Sequence, residues 1–175
     1  YFKLVGRDKD LERLTEALNR KRANSVLLVG PGGVGCSTLC MGLQASKDDP
    51  DASYDVVKKR FYWLDTDGLF ESGDMSRIND GFQRMLHTLS RYPDSVLVID
   101  DMRDFVEGMR HTGCSNLINA LMRAVRQKRF QVILESDDSD LDVVLKCHSD
   151  LKEDYTLLDI KEPSGDALRD IVVHA

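Results

Sequence analysis

The sequence predicts an α/β domain in which a mainly parallel sheet is sandwiched between helices. Three observations carry that prediction. Short apolar runs of strand length alternate with longer segments of helical period. The first of these runs leads straight into a glycine-rich stretch, Gly30-Pro31-Gly32-Gly33-Val34-Gly35. A later run, Val96 to Ile99, ends abruptly in two acids, Asp100-Asp101.

The elements follow in chain order. Arg7 to Arg20 reads as a helix, because Leu11, Leu14 and Leu18 share one face with charges between them. Ser25 to Val29 is nearly continuous in apolar character, the pattern of a strand covered on both faces. Ser37 to Ser46 reads as the next helix, and the polar Lys47 to Lys59 as a loop. Phe61 to Asp65 forms a second strand. Arg77 to Tyr92 is helical through Ile78, Phe82, Met85, Leu86 and Leu89, and Pro93-Asp94 stops it. Ser95 to Ile99 is the third strand. Asn116 to Arg126 forms a helix with Leu117, Leu121 and Val125 on one side, and Gln131 to Leu134 a fourth strand. Leu141 to Lys146 suggests a short helix, Tyr155 to Ile160 a fifth strand, and Ser164 a cap for a last helix through Val173.

Composition narrows the function classes. A chain of 175 residues is sized for one domain. The net charge of −6 argues against a general nucleic-acid surface. The apolar runs are too short to cross a bilayer. The chain opens Tyr1-Phe2-Lys3-Leu4-Val5 and turns charged at once, so no signal peptide and a cytoplasmic setting are expected. With no initiator methionine, a piece of a longer protein is expected too. Cys36, Cys40, Cys114 and Cys147 show no zinc-finger spacing, and the four histidines are scattered. Small buried thiols in a reducing compartment are the expectation. A low-pKa, redox-active Cys36 near a helix N-terminus is the minor alternative.

In open α/β sheets ligands sit beyond the carboxyl ends of the strands, which is where both motifs fall. The glycine-rich stretch continues into Cys36, Ser37 and Thr38 and has the form of a P-loop. Glycines let the backbone curl so that its N–H groups point at phosphate oxygens, and the following helix adds its positive end. Gly30, Gly32, Gly33, Val34, Gly35, Cys36, Ser37 and Thr38 are therefore candidate phosphate-binding residues. Ser37 stands where a hydroxyl would ligate magnesium. The lysine that contacts the outer phosphates is replaced by Cys36. Its loss removes a contact worth about 1.5–3 kcal/mol, roughly one to two orders of magnitude in affinity. An ordinary glycine-rich turn between strand and helix is the plainer reading.

Val96-Leu97-Val98-Ile99-Asp100-Asp101 has the form of a Walker B strand. Asp100 would hold magnesium through water, and Asp101 would orient the attacking water. A glutamate is more usual at the second position. Asp101 is a methylene shorter, which sets its carboxylate back from the water. A buried strand that simply ends in solvated acids is the alternative.

With these segments in order, the chain resembles the first AAA+ module of Clp-type unfoldases. Val5-Gly6-Arg7-Asp8 is similar to the family's opening segment, Leu64-Asp65-Thr66-Asp67-Gly68-Leu69 to a strand end, and Ile160-Lys161-Glu162-Pro163-Ser164 to the closing segment. The resemblance implies a P-loop NTPase-like, three-layer sandwich with five core parallel strands, the large αβ subdomain over residues 1–175. It implies ATP or ADP with magnesium at a subunit junction, and assembly with other subunits into a hexameric ring acting on protein partners. Val5 and Gly6 would lie near the adenine, and Ser136 or Asp137 at a polar sensor position. The family's paired arginines would fall at Glu153-Asp154, and the aromatic pore residue near Gly73-Asp74-Met75, with Phe70 the nearest aromatic. These departures imply a degenerate module that serves assembly or protein contacts. Two alternatives stand beside it: a slow ATPase using Ser37, Asp100 and Asp101, and a nucleotide sensor without hydrolysis. Arg123, Arg126, Lys128 and Arg129 form a basic cluster, read as a solvated helix end or as a partner for Glu153-Asp154 of the next subunit.

Overall fold

Five strands form one parallel sheet in the order β2-β3-β4-β1-β5. The structure, a computed structural model, describes residues 6–31, 36–52, 54–140 and 151–161. The strands are β1 Ser25–Gly30, β2 Arg60–Trp63, β3 Ser95–Ile99, β4 Gln131–Asp137 and β5 Tyr155–Asp159. All four strand pairs are parallel, with Val26 of β1 beside Ile133 and Thr156, and Val98 of β3 beside Ile133 and Trp63.

The three central strands are apolar on both faces, and alternation along them divides the core in two. Leu27, Val29, Leu97, Ile99, Val132 and Leu134 point to one side. There they meet Phe82 of α5 (Met75–Ser90), Phe105 of α6 (Met102–His111), and Leu117 and Leu121 of α7 (Asn116–Arg126). Val26, Leu28, Val96, Val98 and Ile133 point to the other side. They pack on Leu14 and Leu18 of α1 (Asp8–Leu18) and on Leu39 and Leu43 of α2 (Cys36–Ala45). The result is the three-layer sandwich that the sequence predicts.

Differences from expectation have local causes. The Lys47 to Lys59 segment is not all loop: a 3-10 turn covers Ser46–Asp48 and a one-turn helix α3 covers Tyr54–Val57. β2 ends at Trp63, because the Asp65 carboxylate accepts the Gly68 N–H and starts α4 (Thr66–Phe70). Helix α5 begins at Met75 because Asp74 caps the N–H groups of Ser76 and Arg77. Helix α6 has no counterpart among the expected elements. Its buried residues Met102, Phe105 and Met109 follow helical spacing directly after the acids. β4 runs three residues past Leu134, since Glu135 and Ser136 stay in register with Leu28 and Val29. The expected helices at Leu141 to Lys146 and Ser164 to Val173 lie outside the described residues.

Candidate functional site

The carboxyl ends of β1, β3 and β4 meet in one cleft of about 780 Å³. Gly30 at the end of β1 sits beside Asp137 at the end of β4. Gly30, Cys36, Ser37, Thr38, Asp100, Asp101 and Asp137 all line this space, so residues from three distant parts of the sequence converge there. Val5, Gly32, Gly33, Val34 and Gly35 lie outside the described residues. Gly6 is half-buried with a φ of 76°, a left-handed conformation that favours glycine, and it does not line the cleft. Beside it the buried Arg7 donates to the Asp10 carboxylate at 3.1 Å and to the Lys161 carbonyl at 2.8 Å, tying the start of α1 to the chain just past β5.

The electrostatics of the cleft are one-sided. Asp100, Asp101, Asp104, Glu107, Glu135, Asp137 and Asp140 line it, and among the described lining residues Arg103 brings the only positive charge. That guanidinium is engaged with Glu107 at 3.3 Å and with Asp140 at 3.5 Å. Asp101 raises the carboxyl of Asp104 above its ordinary range. Asp101 itself is the N-cap of α6, its Oδ1 accepting the Asp104 N–H at 3.0 Å. Capping alone is sufficient physical reason for an acid there.

Glu135 is the residue that sequence reasoning missed. It is only 5% exposed, and it accepts a hydrogen bond from the Ser37 hydroxyl at 2.8 Å through Oε2. Its Oε1 is enclosed without a partner oxygen or nitrogen. Burial pushes its carboxyl up to about 7; the Ser37 and Cys40 hydrogen bonds oppose that rise, and Asp100 and Asp101 add to it. The available signal was the string Val132-Ile133-Leu134-Glu135, which repeats the apolar-to-acid form of β3.

Cys36 does not behave as the redox alternative requires. Burial, then the Glu135 carboxylate, push its thiol up to about 11, against a smaller lowering by Arg7. The same two causes raise the buried Cys40. The favourable end of α2 is outweighed, and the low-pKa expectation is corrected. No set of three or more potential ligands suited to a metal ion occurs among the described residues.

Other expected features resolve differently. Phe70 packs its ring against Gly108, where even a Cβ would meet the ring at 2.3 Å, so it is no free pore aromatic. Asp74 is a helix cap, and Met75 is the exposed apolar residue of that turn. Glu153 and Asp154 close a one-turn helix, Leu151–Asp154, just before β5. Arg126 meets Asp154 at 3.2 Å within the same chain, and Lys128 donates to the Lys21 carbonyl at 3.0 Å. Within one chain, then, the basic cluster and the acids before β5 are already neighbours in the fold.

A parallel sheet with a glycine-rich sequence between β1 and α2 and acids after β3 is the architecture of a P-loop NTPase. Comparison with known proteins narrows this to the Clp type. No protein-family model matches the chain. The ATP-binding subunit ClpE of an ATP-dependent Clp protease from Lactococcus lactis is 24% identical over 165 residues, 93% of this chain and 22% of the relative. The chloroplastic chaperone protein ClpC of Pisum sativum is 24% identical over 165 residues, 93% of this chain and 18% of its own length. Thus the chain spans about a fifth of the length of the curated relatives it matches. Among solved structures, an S. cerevisiae Hsp104–ADP complex shares the fold with a TM-score of 0.82 and 17% identity, over 97% of this chain and 24% of that one. An extended Hsp104–casein complex gives a TM-score of 0.73 at 16% identity, over 98% and 29% of the two chains. The chain is homologous to Clp-type AAA+ chaperone subunits, and its fold is the AAA+ α/β fold.

Proposed function

We propose that residues 1–175 are the large αβ subdomain of a Clp-type AAA+ module whose nucleotide site has lost turnover and which serves ring assembly or protein contact. The observation that carries this reading is the charge of the cleft. A triphosphate needs cations where its outer oxygens lie, both to bind and to stabilise the transition state. Here the position of the phosphate-binding lysine is Cys36, a neutral thiol, and the one cation of the described lining is held by Glu107 and Asp140. The buried Glu135 adds an acid beside Ser37. Ser37 and Asp100 are the residues that would hold magnesium, and the ion would offset part of this charge without replacing the lysine. The residues present fit a magnesium triphosphate poorly.

Homologues named as ATP-binding Clp subunits and an Hsp104–casein complex support a place in a ring, with other AAA+ subunits and a protein as partners. No helix among the described residues is long and apolar enough to cross a membrane. Calorimetry with ATP and magnesium tests the reading. Weak or absent heat of binding and no phosphate release are expected; tight binding with steady turnover by the purified chain would overturn it.

A second reading is a nucleotide sensor that binds weakly without hydrolysis. The cleft's retained volume and the preserved positions of Ser37, Thr38 and Asp100 favour it. Protection against thermal unfolding by ADP or ATP separates it from the first.

A further inference from the structure

The replaced lysine is the visible loss in the P-loop, yet it is not the only barrier at that point. Position 36 opens α2, and Glu135 of β4 reaches the very next residue, Ser37. The carboxylate is held from one side by the Ser37 hydroxyl at 2.8 Å, and the Cys40 thiol one turn further along α2 lies against it. Its Oε1 has no partner oxygen or nitrogen. A buried carboxylate with an orphan oxygen is strongly biased toward any cation placed within reach. An ammonium introduced at position 36 would meet that oxygen before any phosphate arrived.

We propose that Glu135, reaching the start of α2 with an unpartnered oxygen, would sequester a lysine restored at position 36, so that reversing the lysine loss alone does not restore phosphate binding. The inference rests on the reading of the module as a lapsed nucleotide site, and adds which residue stands against its reversal. A cation at position 36 serves phosphate only when position 135 carries no charge, and neutralising position 135 serves little while position 36 carries no cation.

The experiment is a double-mutant cycle on the whole chain, read at pH 8, where Glu135 is ionised, by calorimetric titration with ATP and magnesium, each variant being checked for its urea midpoint. Wild type, Cys36→Lys and Glu135→Gln are expected to bind within about threefold of one another. The double variant Cys36→Lys/Glu135→Gln is expected to bind at least about tenfold more tightly than either single change. Cys36→Lys/Glu135→Asp, which keeps the charge, is expected to stay with the single variants. The proposal is overturned if Cys36→Lys alone reaches the affinity of the double variant, if the double variant binds no better than Cys36→Lys, or if the aspartate version gains as much as the glutamine one. Tight binding and turnover by wild type sinks the reading of a lapsed site instead, so the two failures are distinguishable.

Discussion

The two ends of β4 each bury an ionisable group, and they treat it in opposite ways. At the amino end the buried Lys59 donates to the Gln131 side-chain oxygen at 2.6 Å. The Gln131 amide in turn donates to the carbonyls of Leu18 and Asn24 at 2.8 and 2.7 Å. Burial, and after it Lys58, lower the Lys59 ammonium from its ordinary range, and the carboxamide oxygen accepts a hydrogen bond from it. At the carboxyl end Glu135 accepts from Ser37, lies against the Cys40 thiol, and leaves Oε1 without a partner oxygen or nitrogen. Near it stand Asp100 and Asp101, which push in the wrong direction. The Gln131 carboxamide, with its oxygen and nitrogen both engaged, ties the end of α1 and the residues just before β1 and β2 to β4. That end is closed; the open one at Glu135 leaves a buried polar atom whose desolvation is not offset.

The largest expected effect breaks the closed end. Gln131→Leu removes the oxygen that Lys59 donates to and strips two carbonyls of their donor, and should cost roughly 3 kcal/mol of unfolding free energy by urea titration. A loss under about 1 kcal/mol would mean that water replaces the network.

At the open end the sign reverses. The folded carboxyl of Glu135 titrates near 7 against an ordinary 4.5, so the folded chain holds this proton more tightly than the unfolded one. Its contribution is best below about pH 4.5 and worsens as the pH rises through 7. Glu135→Gln should therefore exceed wild type by roughly 2–3 kcal/mol at pH 8, with the gap closing toward pH 4.5. Unfolding midpoints of both proteins across that range check it; a gap independent of pH would rule out titration of Glu135 as the cause.

A smaller effect sharpens the role of Asp101. As the cap of α6 it should tolerate asparagine, which also accepts an N–H, whereas Asp101→Ala should cost about 1 kcal/mol. Thermal midpoints of the pair distinguish cap from charge, because both variants equally relieve the repulsion with Asp104. The smallest effect is at the half-exposed Arg126–Asp154 pair. Arg126→Ala should cost no more than about 0.5 kcal/mol, and less in high salt. A loss above 1 kcal/mol would show that the pair orders the start of β5.

Legibility along the chain followed the range of the forces involved. β1 and β3 stood out because strands buried on both faces are apolar throughout, and α1, α5 and α7 because a half-buried helix repeats on a helical period. Helix α6 was obscured because its first residues follow two acids that read as chemistry, although one of them is its cap. Glu135 was passed over because a charge normally ends a buried strand, and whether it does depends on what the neighbouring strands bring alongside.

The sequence by itself determined the alternation of strands and helices, hence a parallel sheet with helices on both faces, and placed a glycine-rich, lysine-free segment of P-loop form directly after β1. Those are properties of periodicity and of short motifs, encoded within a few residues of each other. Only the tertiary structure decided which acids share the cleft, that Ser37 is hydrogen-bonded to a buried glutamate 98 residues away, and that Asp154 is already paired with Arg126. Such facts depend on strand order and register, which bring distant residues within hydrogen-bonding distance and remove the water that would otherwise dissolve their charges.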